Sequence, residues 1–340
     1  MESYTLGIFA NMYPSSPGDS RGIFIRRMVE KLESKGVAVK KAVKTSPSLG
    51  GYIPFYAESL RLVLDPEPDI FQAHYIPHSS IIPAFLKRKK PLVLKFHGDD
   101  GRIYPFQNAF NRAVIRSMVR RADHILTISE EIRERLIEIG AKPDRITPIS
   151  SGVNTHQFRQ IPRGQAREFF NLPEDREIVL FIGRLHPWKG IAEIIGTSRE
   201  HPDLLFILAG PGNIPPHPDN CLFMGEVSPE EIPCLINASD LSILPSYTEG
   251  ISNFIMESLS CEIPVIATAV GGNPELVSEG ETGLLIQPKD SRSLSEAIGW
   301  MKDHPSDRAI MGKKGREHIM ANHDEDIVTE KMIRVHQNLL

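Results

Sequence analysis

Leu241-Ser242-Ile243-Leu244-Pro245-Ser246-Tyr247-Thr248-Glu249-Gly250-Ile251-Ser252-Asn253-Phe254-Ile255-Met256-Glu257 is the stretch whose reading decides the fold. The strand-like Leu241–Ser246 runs into a segment whose two acidic residues, Glu249 and Glu257, bracket the start of a helix. On one continuous helix the pair would be rotated by about 80° and separated by ~12 Å along the axis. That spacing is too wide for both carboxylates to flank one scissile bond, which needs about 5–9.5 Å. It suits two hydroxyl-bearing groups of one extended ligand. Between them lie the free amides of a helix start, which attract phosphate. Carboxylate, phosphate site, carboxylate is a layout that fits a nucleotide sugar.

The same strand-then-helix unit recurs along the chain. In the first half the apolar runs are Leu6–Ala10, Ile70–Ala73, Leu92–Phe96, His124–Ile128 and Ile146–Ile149. In the second half they are Ile178–Ile182, Leu204–Ala209, Leu241–Leu244, Pro264–Ala267 and Gly283–Ile286. Continuous apolar strands alternating with helices predict parallel sheets covered on both faces. Two such series predict an α/β protein of two Rossmann-like, doubly wound domains facing across a cleft. The polar stretch Asn154–Glu177, with Pro162, Gly164 and Pro173, reads as the linker. Ligands of such sheets bind beyond the carboxyl ends of the strands, which places the expected site in that cleft.

The 340 residues allow two domains, each with its own core. No apolar run reaches the ~18 residues of a membrane span, and the start of the chain has no basic leader. Cys221, Cys234 and Cys261 lack paired metal-ligand spacing, so a reducing, cytoplasmic setting is expected. Residues 1–155 hold 23 Lys and Arg against 16 Asp and Glu, a net +7; the remainder holds 16 against 27, a net −11. A basic first half suits an anionic partner such as a membrane surface or a phosphorylated acceptor; solvated charge is the alternative.

Arg184 and Lys189 follow the strand Ile178–Ile182 and so emerge at its carboxyl end. There a planar fork and a point charge can neutralise a diphosphate, although the same pair could form surface salt bridges. His97 follows the strand Leu92–Phe96 and faces the same expected cleft.

Gly183-Arg184…Lys189-Gly190, Glu249…Glu257 and Pro264-Val265-Ile266-Ala267-Thr268…Gly271-Gly272…Glu275 together resemble the family 4 glycosyltransferases of the GT-B fold. Phe223–Val227, Ala238-Ser239-Asp240, Thr282–Leu285 and Gly152-Val153-Asn154 extend the resemblance over nearly the whole chain. The resemblance implies an acceptor-side domain of residues 1–155, joined by a C-terminal helix at 325–340, and a donor-binding domain of residues 156–324. It implies that Arg184 and Lys189 hold the donor diphosphate and that Glu249 binds hydroxyls of the donor sugar. The backbone of Gly250, Ile251, Ser252 and Asn253 would add hydrogen bonds, and Glu257 would take the ribose hydroxyls. Gly225, Glu226 and Val227 would contact the base, and His97 would serve the oxocarbenium-like state. Such enzymes retain anomeric configuration, use no metal and no cofactor, and take the nucleotide sugar as a substrate. UDP and GDP donors both fit, with UDP favoured by the resemblance.

Pro14…Gly18-Asp19-Ser20-Arg21-Gly22-Ile23-Phe24 resembles the subgroup acting in cell-surface polysaccharide, glycolipid or glycan synthesis. Its Ser20 and Gly22, with Asp99, are the acceptor-side candidates. Many relatives have Gly-Gly where Ser20 falls, and often Gly where this chain has Glu262. Lys87-Arg88-Lys89-Lys90 and Arg112, Arg116, Arg120 and Arg121 could hold the chain peripherally at the inner face of a membrane carrying a lipid-linked acceptor. Nucleic acid is not expected as a partner, because no aromatic residues interleave with these charges. A nucleotide-sugar 2-epimerase shares the architecture, but its motifs are not evident. A catalytically decayed nucleotide-sugar-binding protein is disfavoured by the intact Arg184, Lys189, Glu249, Glu257 and His97.

Overall fold

A computed structural model describes residues 3–16, 19, 21–87, 89–213 and 215–340. The chain divides into two compact units, one of residues 1–151 with 326–340 and one of residues 152–325. In the first unit, β1 (Thr5–Ala10), β2 (Ala38–Val43), β3 (Ile70–His74), β4 (Leu92–Phe96), β5 (His124–Thr127) and β6 (Ile146–Pro148) form a sheet. Their order is β2-β1-β3-β4-β5-β6, and every pairing is parallel. In the second, β7 (Ile178–Ile182), β8 (Leu205–Ala209), β9 (Cys221–Gly225), β10 (Leu241–Leu244), β11 (Val265–Thr268) and β12 (Gly283–Ile286) run in the order β12-β11-β10-β7-β8-β9, again all parallel. These are the two common doubly wound orders. The strand order reverses between β1 and β3 in one unit and between β7 and β10 in the other.

Two strands, β2 and β9, were not among the apolar runs read from the sequence. Both are sheet edges with one side in water. Lys40 and Lys41 lie in the half-exposed β2, and only Cys221 of β9 is buried. The central strands β3, β4 and β8 are buried at every residue and therefore read as unbroken apolar runs.

The first unit closes only with the helix Glu325–Gln337. Its Val328, Met332 and Ile333 join Leu6, Ile8, Ile25, Val29, Ile70, Val93 and Leu126 in one core. Asp326 on that helix pairs with Lys31 at 2.9 Å and Lys35 at 2.7 Å.

The polar stretch Asn154–Glu177, expected as a linker, instead belongs to the second unit. It contains the helix Arg163–Phe169, and Arg167 is fully buried. The Arg167 guanidinium donates to the carbonyls of Pro173, Glu174, Arg176 and Ala238 and to the Asp240 carboxylate at 2.6 Å. Asp240 also accepts from the Ile178 amide at the start of β7. A stretch whose charge is spent internally looks like a solvated linker in composition alone. Among the described residues no helix is long and apolar enough to cross a membrane.

Candidate active site

In the second unit the chain leaving β7 is held by backbone contacts. Gly183 donates to Ala209 O at 2.9 Å and Leu185 to Pro211 O at 2.8 Å, while Gly210 donates to Gly225 O at 2.6 Å. Gly210 has φ +134°, and a Cβ there would lie 2.1 Å from Gly183 O. The exits of β7, β8 and β9 thus form one backbone platform, with Gly225 exposed at its far side beside Glu226 and Val227. Gly210-Pro211-Gly212 was missed from sequence. A Gly-Pro-Gly directly after an apolar strand was the signal available.

The turn Pro187–Lys189 then docks on the segment leaving β10. Tyr247 N donates to Trp188 O at 2.8 Å. Gly190, at φ +73°, approaches so closely that a Cβ would sit 2.3 Å from Pro245 O. The two strands at the switch point therefore present their following loops to each other, and Lys189 Nζ meets Glu249 Oε1 at 2.5 Å. Arg184 is exposed, and its guanidinium has no partner among the described residues.

Glu249 lies in the loop, ahead of the helix Asn253–Ser260. Ser252 caps that helix, its Oγ accepting from the Ile255 amide at 3.3 Å. The ~12 Å separation expected from one continuous helix is corrected accordingly. Only Glu257 is helical, half-buried in the helix's second turn. The amides at Asn253 and just after it have no carbonyl one turn back within the helix and are free for an anion. Gly271 and Gly272 support the loop from behind. Gly272 donates to Gly250 O at 2.8 Å, and a Cβ on Gly271 would lie 1.9 Å from Glu249 O. Arg184, Lys189, Gly225–Val227 and Glu249–Glu257 thus gather at the carboxyl end of one sheet.

The first unit holds His97 where β4 ends. His97 Nε2 lies 2.8 Å from His74 Nδ1 at the end of β3. Its ring is packed by Phe24 and Tyr75, each at 4.9 Å between centroids. Burial, with His74 and Lys95 nearby, pushes the His97 imidazole well below its ordinary pKa. The two adjacent aspartates have separate fates. Asp99 is exposed and pairs with Arg102 at 3.5 Å. Asp100 accepts from the amides of His97, Gly98 and Ile76 at 2.9, 3.0 and 3.2 Å. Its carboxyl is pushed up to about 6 by burial, against the pull of those amides. The bond to Ile76 also anchors Tyr75, which takes the left-handed φ of +62°. Gly22, at φ +66°, caps the helix Ile23–Ser34, and a Cβ there would meet Met12 O at 2.4 Å. Ser20 lies outside the described residues.

Two family models match the chain. "Glycosyltransferase Family 4" covers residues 6–157 and "Glycosyl transferases group 1" covers residues 162–318. Among curated proteins, the chain is 26% identical to TuaC of Bacillus subtilis, assigned to teichuronic acid biosynthesis, over 85% of this chain and 86% of that one. It is 32% identical to the D-inositol 3-phosphate glycosyltransferase of Acidothermus cellulolyticus over 66% of this chain, but spans only 55% of that enzyme's length. The fold matches the sucrose-phosphate synthase of Thermosynechococcus elongatus with a TM-score of 0.82 at 20% identity, covering 99% of both chains. Anabaena HepE, solved with UDP-glucose, matches at 0.78 and 18% identity over 98% of this chain and 100% of that one.

Proposed function

The chain belongs to the family 4 glycosyltransferases of the GT-B fold, and on that premise we propose that it moves a sugar from a nucleoside diphosphate donor to a hydroxyl with retention of configuration. The observation that carries this reading is the 2.5 Å meeting of Lys189 and Glu249, sixty residues apart, at the switch point of the second sheet. Without donor, each neutralises the other. A bound diphosphate draws Lys189 toward its oxygens beside Arg184, and Glu249 is released to accept from sugar hydroxyls. Glu257 takes the ribose hydroxyls, and the backbone at Gly225–Val227 takes the base. The new bond runs from the acceptor oxygen to the anomeric carbon as the bond to the phosphate oxygen breaks. The acceptor's proton passes to the leaving phosphate, whose charge Arg184 and Lys189 stabilise in place of a metal ion. His97 serves the reacting sugar.

UDP is proposed ahead of GDP on the family resemblance. The likeness to TuaC supports an acceptor in cell-surface polysaccharide synthesis. Lys189→Ala is expected to lower turnover by about 10²–10³-fold while the fold survives. Near-wild-type turnover in that variant would sink the assignment. Thermal shift with UDP, GDP and ADP identifies the base, since a ligand at 100 times its Kd stabilises by about 2.7 kcal/mol.

A peripheral membrane contact through the first unit is part of the proposal. Arg112, Arg116, Arg120 and Arg121 are exposed on the helix Ala109–Arg121. The Arg121 guanidinium lies 4.4 Å over the ring of Phe85, itself 56% exposed, and Phe110 nearby in sequence is 74% exposed. Cations beside exposed apolar side chains suit an anionic lipid surface, at about 1 kcal/mol for each Lys or Arg near it. Co-sedimentation with phosphatidylglycerol vesicles should be strong at low salt, and it should drop in a variant with Arg112, Arg116 and Arg120 changed to Gln. Equal sedimentation of both proteins would remove the membrane from the proposal.

A further inference from the structure

Behind His97 runs a buried line of side chains that the proposed reaction does not itself use. His74 Nε2 meets Gln72 Nε2 at 2.9 Å, Gln72 Oε1 meets His336 Nε2 at 2.7 Å, and His336 Nδ1 meets Tyr4 Oη at 2.7 Å. Gln72, His74 and His336 are all 0% exposed, and Tyr4 is 5% exposed. With the 2.8 Å contact between His74 and His97, this makes one line of hydrogen bonds from Tyr4, just before β1, and the helix Glu325–Gln337 to His97, just after β4.

A line of this kind has a direction, set by the groups that can act only one way. Each neutral imidazole has one donor and one acceptor nitrogen, and an amide oxygen only accepts. The Gln72 nitrogen also lies 3.7 Å from Met332 Sδ and 3.8 Å from Met28 Sδ, which are weak acceptors. Turning the amide over would set its oxygen against both sulfurs. It would also leave the buried Tyr4 hydroxyl proton with no acceptor among the described residues. In the orientation present, Tyr4 donates to His336 Nδ1 and His336 Nε2–H donates to Gln72. Gln72 then donates to His74 Nε2, and His74 Nδ1–H donates to His97 Nε2.

We propose that Gln72 and His336 are positioning residues which, through His74, lock His97 in the tautomer carrying its proton on Nδ1. Burial chiefly opposes a second proton on these rings; Lys95, buried on β4, paired in register with His74 and itself pushed down to about 7, adds to that opposition, as His124 does at His336. Asp100 engages the His97 backbone, and Tyr75 covers its ring. His97 Nδ1 has no partner among the described residues. The lock makes that free edge a neutral hydrogen-bond donor, suited to a sugar hydroxyl oxygen and unable to act there as a base. The consequence for catalysis rests on the reading that His97 serves the reacting sugar; the lock itself does not.

The test is two- and three-bond 1H–15N correlation spectroscopy on the full chain labelled with 15N-histidine, with His97→Ala identifying the signals. Wild-type protein is expected to show His97 neutral, with its proton on Nδ1, at pH 6 to 8. Gln72→Leu is expected to give a mixture of tautomers and to lower kcat by on the order of 10- to 100-fold, the usual cost of losing a group that orients a histidine, with the donor KM unchanged. A proton on Nε2 or an averaged signal in wild type overturns the lock, whatever the variant does. An unchanged single tautomer in Gln72→Leu removes Gln72 from it. If the lock is seen but His97→Ala remains fully active, the positioning stands and the role of His97 in the reaction fails.

Discussion

Glu262 sits where the chain leaves the helix Asn253–Ser260, in the left-handed region at φ +65°. The Ile263 amide closes back to Ser258 O at 3.0 Å, the geometry that favours glycine after a helix. A Cβ there costs about 1–2 kcal/mol, less what glycine loses in the unfolded chain. The Arg316 contact, at 4.0 Å, returns little. Glu262→Gly should therefore raise stability by about 0.5–1 kcal/mol, read as a higher urea midpoint at unchanged slope; a lower midpoint would show that Glu262 is held for its side chain. At this scale the sequence was legible where a residue follows a strand or stands beside a glycine, as Lys189, Glu249 and His97 do. It was not legible where a partner is recruited across the fold. Asp99 and Asp100 look alike in sequence, and only burial shows that Asp100 carries the His97 backbone while Asp99 points to water. Gln72 and His74, two apart on β3, share a strand face, but His336 and Tyr4 come from distant parts of the chain, so nothing in the sequence joins the four before it is folded.

Among elements, strand detection followed burial. Ten strands, the edges β6 and β12 included, were read within a residue or so of their ends, whereas the edges β2, with its two lysines, and β9, buried only at Cys221, escaped. The motifs separated in the same way. Gly183, Gly190, Gly210, Gly271 and Gly272 all lie beyond carboxyl ends of strands in the second unit, at close backbone approaches or a backbone hydrogen bond that shape the loops there. Ala238-Ser239-Asp240 looked like part of the same set but lies at the amino end of β10. There Asp240 ties Arg163, Arg167 and the start of β7 together. One family resemblance thus covers residues that touch the ligand end and residues that hold the opposite end of the sheet, and only topology tells them apart.

Across the whole molecule the two units differ in how they hold histidine. His74, His97 and His336 in the first unit all have depressed pKa values, with His336 down to about 3, chiefly from burial. No histidine of the second unit is buried. A depressed folded pKa means that the unfolded chain binds more protons between the folded value and 6.5. The stability from these rings is therefore complete above about 6.5 and is lost as pH falls below it, at up to about 1.4 kcal/mol per pH unit for each ring. Asp100, raised from 3.8 to about 6, acts in the opposite sense only between those two values and there offsets one ring, while His78 and His124, whose pKa values burial also lowers, add to the loss. The first unit should consequently melt ahead of the second as pH drops from 7 to 5. Trp188 and Trp300 both lie in the second unit, so tryptophan fluorescence reports that unit while far-UV circular dichroism reports both. The dichroism midpoint should move below the fluorescence midpoint in acid; two midpoints that fall together would contradict the assignment.

The first unit is interrupted in sequence and the second is not, and this reverses the order in which a ribosome can complete them. Residues 152–325 form an unbroken unit that can finish folding while the chain is still being made. The unit begun at residue 1 waits for residues 326–340, because Val328, Met332 and Ile333 fill its core and His336 closes the line to His97. A nascent chain halted before residue 326 would hold a finished second unit together with a first unit whose core is unfilled and whose histidine is unlocked. Synthesis of residues 326–340 is then the step that completes the first unit's core.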